Sequence, residues 1–229
     1  MSTQFDVIIV GAGIAGISLA ASLPPSTRAL VLEMEERPAY HTTGRSAAMY
    51  EPNYGPPPML AFTRASYEFF TRPPAGFNDG ALFLPRVTLL FEAEGQSAST
   101  AKLLALGDEL QEITEAEATR LAPVLRQGYA KRCFLDANTG DLDVDLLHGG
   151  YLRQFKTAGG RLLTDAEATA ITRSSGQWHI TTKHGAFAAP LLVNAAGAWG
   201  DVVAARAGAR PIGLTPKRRS IGIIPAPAI

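Results

Sequence analysis

The sequence carries a single cysteine, Cys133, in 229 residues. One thiol excludes an intramolecular disulfide and argues against a cysteine-ligated metal, so redox chemistry would have to come from a bound cofactor. A charge bias is also missing. Lys+Arg and Asp+Glu number 21 each, which leaves no electrostatic footprint for nucleic acid or for an anionic membrane surface. Long apolar runs are absent too: nothing approaches a membrane span, and Met1 to Asp6 lead into an apolar strand with neither a basic n-region nor a cleavage site. A cytoplasmic chain is expected. No internal repeat occurs. The length suits one substantial core, or a nucleotide-binding domain plus part of a second.

What is present begins at residues 5–10, FDVIIV, a nearly continuous apolar run of the kind a parallel strand covered on both faces requires. GAGIAG follows at 11–16. In such a loop the first glycine permits the tight turn, the second lets the backbone approach a pyrophosphate, and the third lets helix and strand pack closely. Gly11, Gly13 and Gly16 fill these places, and a helix is predicted from Ile14 and Ala15 to about Leu23, stopped by Pro24-Pro25. A second apolar strand, 29–32, ends on Glu33, placed to accept hydrogen bonds from ribose hydroxyls and to repel the 2′-phosphate of NADP. The spacing points to a Rossmann βαβ unit with the pyrophosphate of a dinucleotide at the helix N-terminus.

Residues 38–58, rich in Gly, Pro, Thr and Ser, are predicted to be a binding loop. From 59 to 130 the pattern changes to a helix over 60–70, strand-like runs over 82–91, and a helix opened by Thr114, whose spacing to Glu117 is that of a capping box. This reads as an inserted second domain. Asp143 is placed to cap a helix reaching about Ala158, with Gly159-Gly160 as its stop. Short strands are predicted at 161–163, 168–173 and 177–182, a return to βα character at 191–194, and a last strand over 217–224.

Four segments carry a resemblance to a known family: LEMEERPAYHTTGRSAAMYEPNYG (32–55), PPAGF (73–77), LLVNAAGAWGD (191–201) and LTPKRRS (214–220). In this order they resemble the D-amino-acid oxidase and glycine oxidase superfamily of flavoenzymes, and within it the bacterial D-arginine dehydrogenases and their FAD-dependent relatives. The resemblance implies FAD as cofactor. It further implies that His41, Thr43, Gly44, Arg45, Ser46, Ala47 and Ala48 wrap the flavin and its phosphates, largely through backbone groups. Small residues suit that task because they let N–H groups reach the cofactor. By the same resemblance Glu33, Met34 and Arg37 flank the adenosine, the backbone near Ala168 meets the adenine, and Ala196, Gly197 and Trp199 pack against the cofactor.

Oxidising an amino acid also requires a group that holds its carboxylate, and arginine's planar fork does this bidentately. Among Lys217, Arg218 and Arg219, strand alternation places Arg219 with the apolar Ile221 and Ile223. Arg219 also matches the family's carboxylate-binding arginine, and Tyr54 matches a tyrosine that covers the active site. Two substrate-pocket positions depart from the arginine-preferring relatives: Met49 replaces a histidine, and Thr88 replaces a glutamate that would pair with a cationic side chain. A neutral D-amino acid is therefore expected.

Other polar groups have plainer readings. Asp136, Asn138, Asp141, Asp143 and Asp145 fail the calcium-loop pattern and are assigned to turns and caps. His148, His179 and His184 lack metal-ligand spacing and read as surface or packing residues, and no metal is expected. Ser18, Ser46 and Ser220 lack a nucleophile-elbow context.

The expected fold is α/β, a Rossmann-type FAD-binding domain (1–50 and 146–210) interleaved with an α+β substrate domain on a mixed sheet (51–145 and 211–229). The expected function is oxidation of the Cα–N bond of neutral D-amino acids to imino acids by hydride transfer to flavin N5. Alternatives are oxidation of another secondary amine or a 2-hydroxy acid, and a nucleotide-binding fragment without catalysis. The family's relatives continue past residue 229, so a C-terminal part is expected to be missing, with a partner chain or oligomer covering the core left open.

Overall fold

A computed structural model describes residues 4–107, 109–218 and 220. In chain order its elements are β1 (Val7–Val10), α1 (Ile14–Ala21), β2 (Ala29–Leu32), β3 (Met49–Tyr50), α2 (Pro57–Thr71), β4 (Phe83–Glu92), α3 (Ser97–Leu106), β5 (Gln111–Ile113) and α4 (Glu115–Leu121). There follow β6 (Arg132–Leu142), α5 (Val144–Thr157), β7 (Arg161–Leu163), β8 (Ala170–Ser174), β9 (Gln177–Thr182), β10 (Gly185–Ala189), β11 (Leu191–Asn194), a 3-10 turn (Gly197–Trp199) and α6 (Gly200–Arg206). The described residues divide into two units, one drawn from 4–46, 76–79 and 144–220, the other from 47–75 and 80–143.

In the first unit β11, β1, β2 and β7 form a parallel sheet in that order. Numbered by chain order within this sheet, the strands run fourth, first, second and third, which is the Rossmann order 3-2-1-4. Alternation along the strands separates two cores. Val7, Ile9, Ala29 and Val31 point to one face, where Ile17 and Ala20 of α1 and Phe155 of α5 cover them. Ile8, Val10, Leu30 and Leu32 point to the other, where Ile171, Ile180 and Phe187 of the antiparallel sheet β10-β9-β8 close the layer. Burial on both faces explains why β1 and β2 are apolar at every position.

In the second unit β6 is central, paired with β4 on one edge and with β3 and β5 on the other. Tyr50 and Phe83 stack on Tyr67 of α2, and Tyr50 also meets Phe70. Cys133 packs with Ala118 of α4 and Ala130. Register places Met49 beside Asp141 and Leu84, so Met49 shares a face of the sheet with Arg86 and Thr88.

Several local expectations hold. Thr114 and Glu117 form the reciprocal capping box. α5 stops where Gly159 takes φ +84° and the Gly160 N–H bonds the Phe155 carbonyl at 2.9 Å.

Two expectations fail. Asp136, Asn138 and Asp141 lie within β6 and not in turns. A bulge opposite Arg86 and Thr88 absorbs the polar residues there, and the buried Asp136 carboxylate accepts the Asn138 N–H at 3.0 Å and an Asn53 side-chain N–H at 2.8 Å. The strand over 217–224 is not formed at Lys217, Arg218 or Ser220, which have no pairing strand to complete a ladder. Arg219 and residues 221–224 lie outside the described residues. Among the described residues no helix is long and apolar enough to cross a membrane.

Candidate functional site

The glycine loop between β1 and α1 is held by backbone approach and by side chains from far along the chain. Gly11 has φ +106°, and a Cβ there would lie 2.4 Å from the Ala195 carbonyl oxygen at the end of β11. A Cβ on Gly16 would lie 1.9 Å from the Gly11 carbonyl oxygen. Both positions therefore exclude a side chain, and the loop leads straight into α1, whose first-turn N–H groups have no partner inside the helix.

Glu33, buried at the end of β2, binds this loop directly. Its Oε2 accepts the Ala12 N–H at 2.8 Å and its Oε1 accepts the Glu35 N–H at 3.0 Å. The Ala12 carbonyl oxygen accepts from His148 Nε2 on α5 at 2.9 Å and from the Ala39 N–H at 3.3 Å. Thr43 Oγ1 accepts the Ile14 N–H at 3.0 Å, over the opening of α1. The segment carrying Thr43 is folded on itself, because Ala39 has φ +59° and its carbonyl accepts the Gly44 N–H at 2.8 Å.

Beside the loop lies a cavity of about 440 Å³ within the first unit. Of the residues expected at the cofactor, Gly11, Gly13, Glu33, Met34, His41, Thr43, Ala168, Ala196, Gly197 and Trp199 line it. His41 accounts for one wall: its Nε2 lies 2.8 Å from Glu35 Oε1 and its ring centroid 4.5 Å from that of Trp199. Ile14, Ala15 and Gly16 form the first turn of α1 behind the loop. Arg37 and Arg45 lie over the Tyr40 ring, at 5.1 and 4.5 Å from its centroid. Gly44 and Ser46 stay in the first unit, whereas Ala47 and Ala48 fall in the second, where the Ala48 carbonyl accepts the Leu142 N–H at 2.7 Å.

Of the substrate-side residues, Met49, Tyr54 and Thr88 belong to the second unit. Met49 receives Arg86 Nη2 at 3.7 Å from its sulfur, and Arg86 Nη1 pairs with Asp141 at 2.9 Å. Thr88 donates to Thr139 Oγ1 at 3.0 Å. Tyr54 is 66% exposed. Just past β3, burial and the neighbouring Asp136 push the Glu51 carboxyl above its ordinary range, with Arg86 opposing.

Sequence reasoning missed two members of the site. Arg206 of α6 lines the cavity and donates to Glu167 at 2.8 Å and to the Ala168 carbonyl at 2.9 Å. His148 is buried against the glycine loop. Neither carries a local signal, since their partners lie 38 and 136 residues away.

Tight glycines, an open helix N-terminus and a buried strand-end carboxylate fit an adenine dinucleotide. Which one is decided by comparison with known families: the family described as DAO, FAD dependent oxidoreductase, matches residues 6–228. The chain belongs to this DAO family of FAD-dependent oxidoreductases. Its fold is shared with solved DAO-type structures. Glycine oxidase from Geobacillus kaustophilus superposes with a TM-score of 0.76 at 21% identity, covering 90% of this chain and 59% of that one. L-alpha-glycerophosphate oxidase from Mycoplasma pneumoniae, with FAD bound, superposes with a TM-score of 0.78 at 18% identity, covering 91% and 58%. In sequence the chain is similar to L-2-hydroxyglutarate dehydrogenase from Indibacter alkaliphilus, 24% identical over 218 residues, which are 88% of this chain and 52% of that protein. The DAO chain thus spans little more than half the length of the relatives it matches.

Proposed function

We propose that this chain binds FAD in the cavity beside the glycine loop and belongs to a cytoplasmic enzyme that oxidises the Cα–N bond of neutral D-amino acids. The observation that carries the reading is the glycine loop closed against Ala195, with both of its flanks tied by Glu33 and His148. In this reading the N-terminus of α1 receives the pyrophosphate, Glu33 and Met34 border the ribose, and Ala168 and Arg206 border the adenine. Bound FAD supplies a two-electron acceptor for a hydride.

The chain's own residues orient the amino acid and keep water from it. As the hydride leaves Cα, the uncharged amine's lone pair closes the C=N bond, and the imino acid that results is open to hydrolysis. Arg219 is assigned the substrate carboxylate from its place in LTPKRRS, and Tyr54 is assigned to cover the site. Met49 and Thr88 leave the pocket without the histidine and glutamate of arginine-preferring relatives, which supports a neutral side chain.

Similarity to L-2-hydroxyglutarate dehydrogenase favours a second reading, oxidation of a 2-hydroxy acid, in which a hydroxyl replaces the amine. Anaerobic absorption spectra of the FAD-loaded chain, recorded with neutral D-amino acids, their L-enantiomers and 2-hydroxy acids, separate the readings. Bleaching by a D-amino acid supports the first, and bleaching by a hydroxy acid alone supports the second. A chain that takes up no FAD removes both.

A further inference from the structure

We infer that His148 is a positioning residue for the dinucleotide loop, holding the Ala12 carbonyl while Glu33 holds the Ala12 N–H. This rests on the reading that the loop binds FAD. The Ala12 carbonyl can only accept, so the Nε2 that lies 2.9 Å from it must carry a proton. The Glu33 carboxylate can only accept, so the Ala12 N–H donates to it at 2.8 Å. The two peptide groups that flank the Ala12 Cα, 11–12 through its N–H and 12–13 through its C=O, are thereby held by Glu33 at the end of β2 and by His148 of α5, and Ala12 itself is fully buried.

The grip acts between two glycines, where the backbone by itself is easiest to turn. Gly11 and Gly13 flank Ala12, and Gly11 already sits at φ +106° against the Ala195 carbonyl. Glycines on both sides lower the backbone's own resistance to rotating the Ala12 peptide. Without His148 the Ala12 carbonyl keeps only the longer bond from the Ala39 N–H, at 3.3 Å. A rotated 12–13 peptide would carry with it the N–H of Gly13, the residue that precedes α1 and lines the cavity. Preorganisation of such groups is what a pyrophosphate requires, because ordering them on binding would be subtracted from affinity.

His148 is also held in place independently of the loop. It lies on α5 among buried residues of the same helix, Leu147 and Gly150, and α5 packs against the sheet through Phe155. A rigid helix thus delivers the donor, in the manner expected of a group that orients others.

The test compares His148→Leu, which fills the space without a donor, with His148→Gln, whose amide can donate from a similar distance. For the whole chain, the FAD dissociation constant is measured by quenching of FAD fluorescence, and the unfolding midpoint in urea is recorded beside it. His148→Leu is expected to raise the dissociation constant about tenfold, and His148→Gln to restore it to within about threefold. Equal affinity in all three proteins, or equal weakening in both variants, overturns the proposal. If the wild-type chain takes up no FAD, the proposed function falls while the clamp stays testable by amide hydrogen exchange of the ligand-free chain. Faster exchange at Ala12 in His148→Leu than in wild type and His148→Gln supports it, and equal rates overturn it.

Discussion

Gly16 stands directly over Gly11: a Cβ on the first would lie 1.9 Å from the carbonyl oxygen of the second. That contact joins the first turn of α1 to the end of β1 and sets how closely the helix approaches the sheet. The partner is backbone in the loop that leaves β1, an inner strand of the parallel sheet, so it cannot swing aside as a flexible side chain would.

Gly16→Ala is therefore expected to cost at least about 2 kcal/mol of stability, the scale of an overpacked core, and to abolish FAD uptake. Gly149→Ala is the control. Gly149 is in α5, and a Cβ there meets nothing within 4 Å, so the change is expected to be neutral or to stabilise by up to about 1 kcal/mol through helix propensity. Urea unfolding midpoints of the two variants check both expectations.

Glu33 offers two oxygens to two backbone N–H groups, those of Ala12 and Glu35. Glu33→Gln keeps the shape but turns one acceptor into a donor facing another donor. Loss of one satisfied, buried bond and creation of that conflict should destabilise the chain by about 1–3 kcal/mol. Affinity for FAD should fall with it, even though the variant is uncharged and no longer repels a phosphate. A titration with FAD and with NADP checks this: unchanged FAD affinity would remove Glu33 from the site.

Asp201 gives a pH dependence with a definite sign. Its carboxylate accepts the N–H groups of Ile212, Gly213 and Leu214 at 3.0, 2.9 and 2.7 Å. The bond from Ile212, with those from Leu214 and Gly213, holds its carboxyl below the ordinary value of 3.8. A folded value below the unfolded one means stability that is complete above the unfolded value and is lost as pH falls through the folded one. Amide exchange at 212–214, corrected for intrinsic rates, should therefore stay slow above pH 3.8 and quicken below it. In Asp201→Asn this acid-induced step should vanish.

The composition of β1 and β2, the glycine spacing between them and the acid at the end of β2 were legible in the sequence because they are local. Each constraint acts between residues a few positions apart, or follows from burial on both faces of one strand. The capping box of Thr114 and Glu117 and the glycine stop of α5 were legible for the same reason. The resemblance carried by residues 32–55 and 191–201 led to the family, which the match over 6–228 bears out.

β6 shows the limit of such reading. Its run of Asp136, Asn138 and Asp141 has the composition of a turn, yet pairing with β4, β3 and β5 makes it a strand, and the bulge removes the conflict. A ladder's hydrogen bonds outweigh weak local preference, and no local pattern announces which distant strands will supply them. Residues 217–220 err in the other direction, alternating as a strand should but finding no partner at the described positions.

By itself, then, the sequence determined the βαβ start, its dinucleotide loop and the family, since these depend on residue type and short spacing. Only the tertiary structure decided that His148 and Arg206 belong to the same site, that Ala12 is held at both its N–H and its carbonyl, and that Met49 and Thr88 share one face of a sheet. Those relationships join residues tens to more than a hundred positions apart, and they exist only once burial of the two faces of each sheet has fixed the order of the strands.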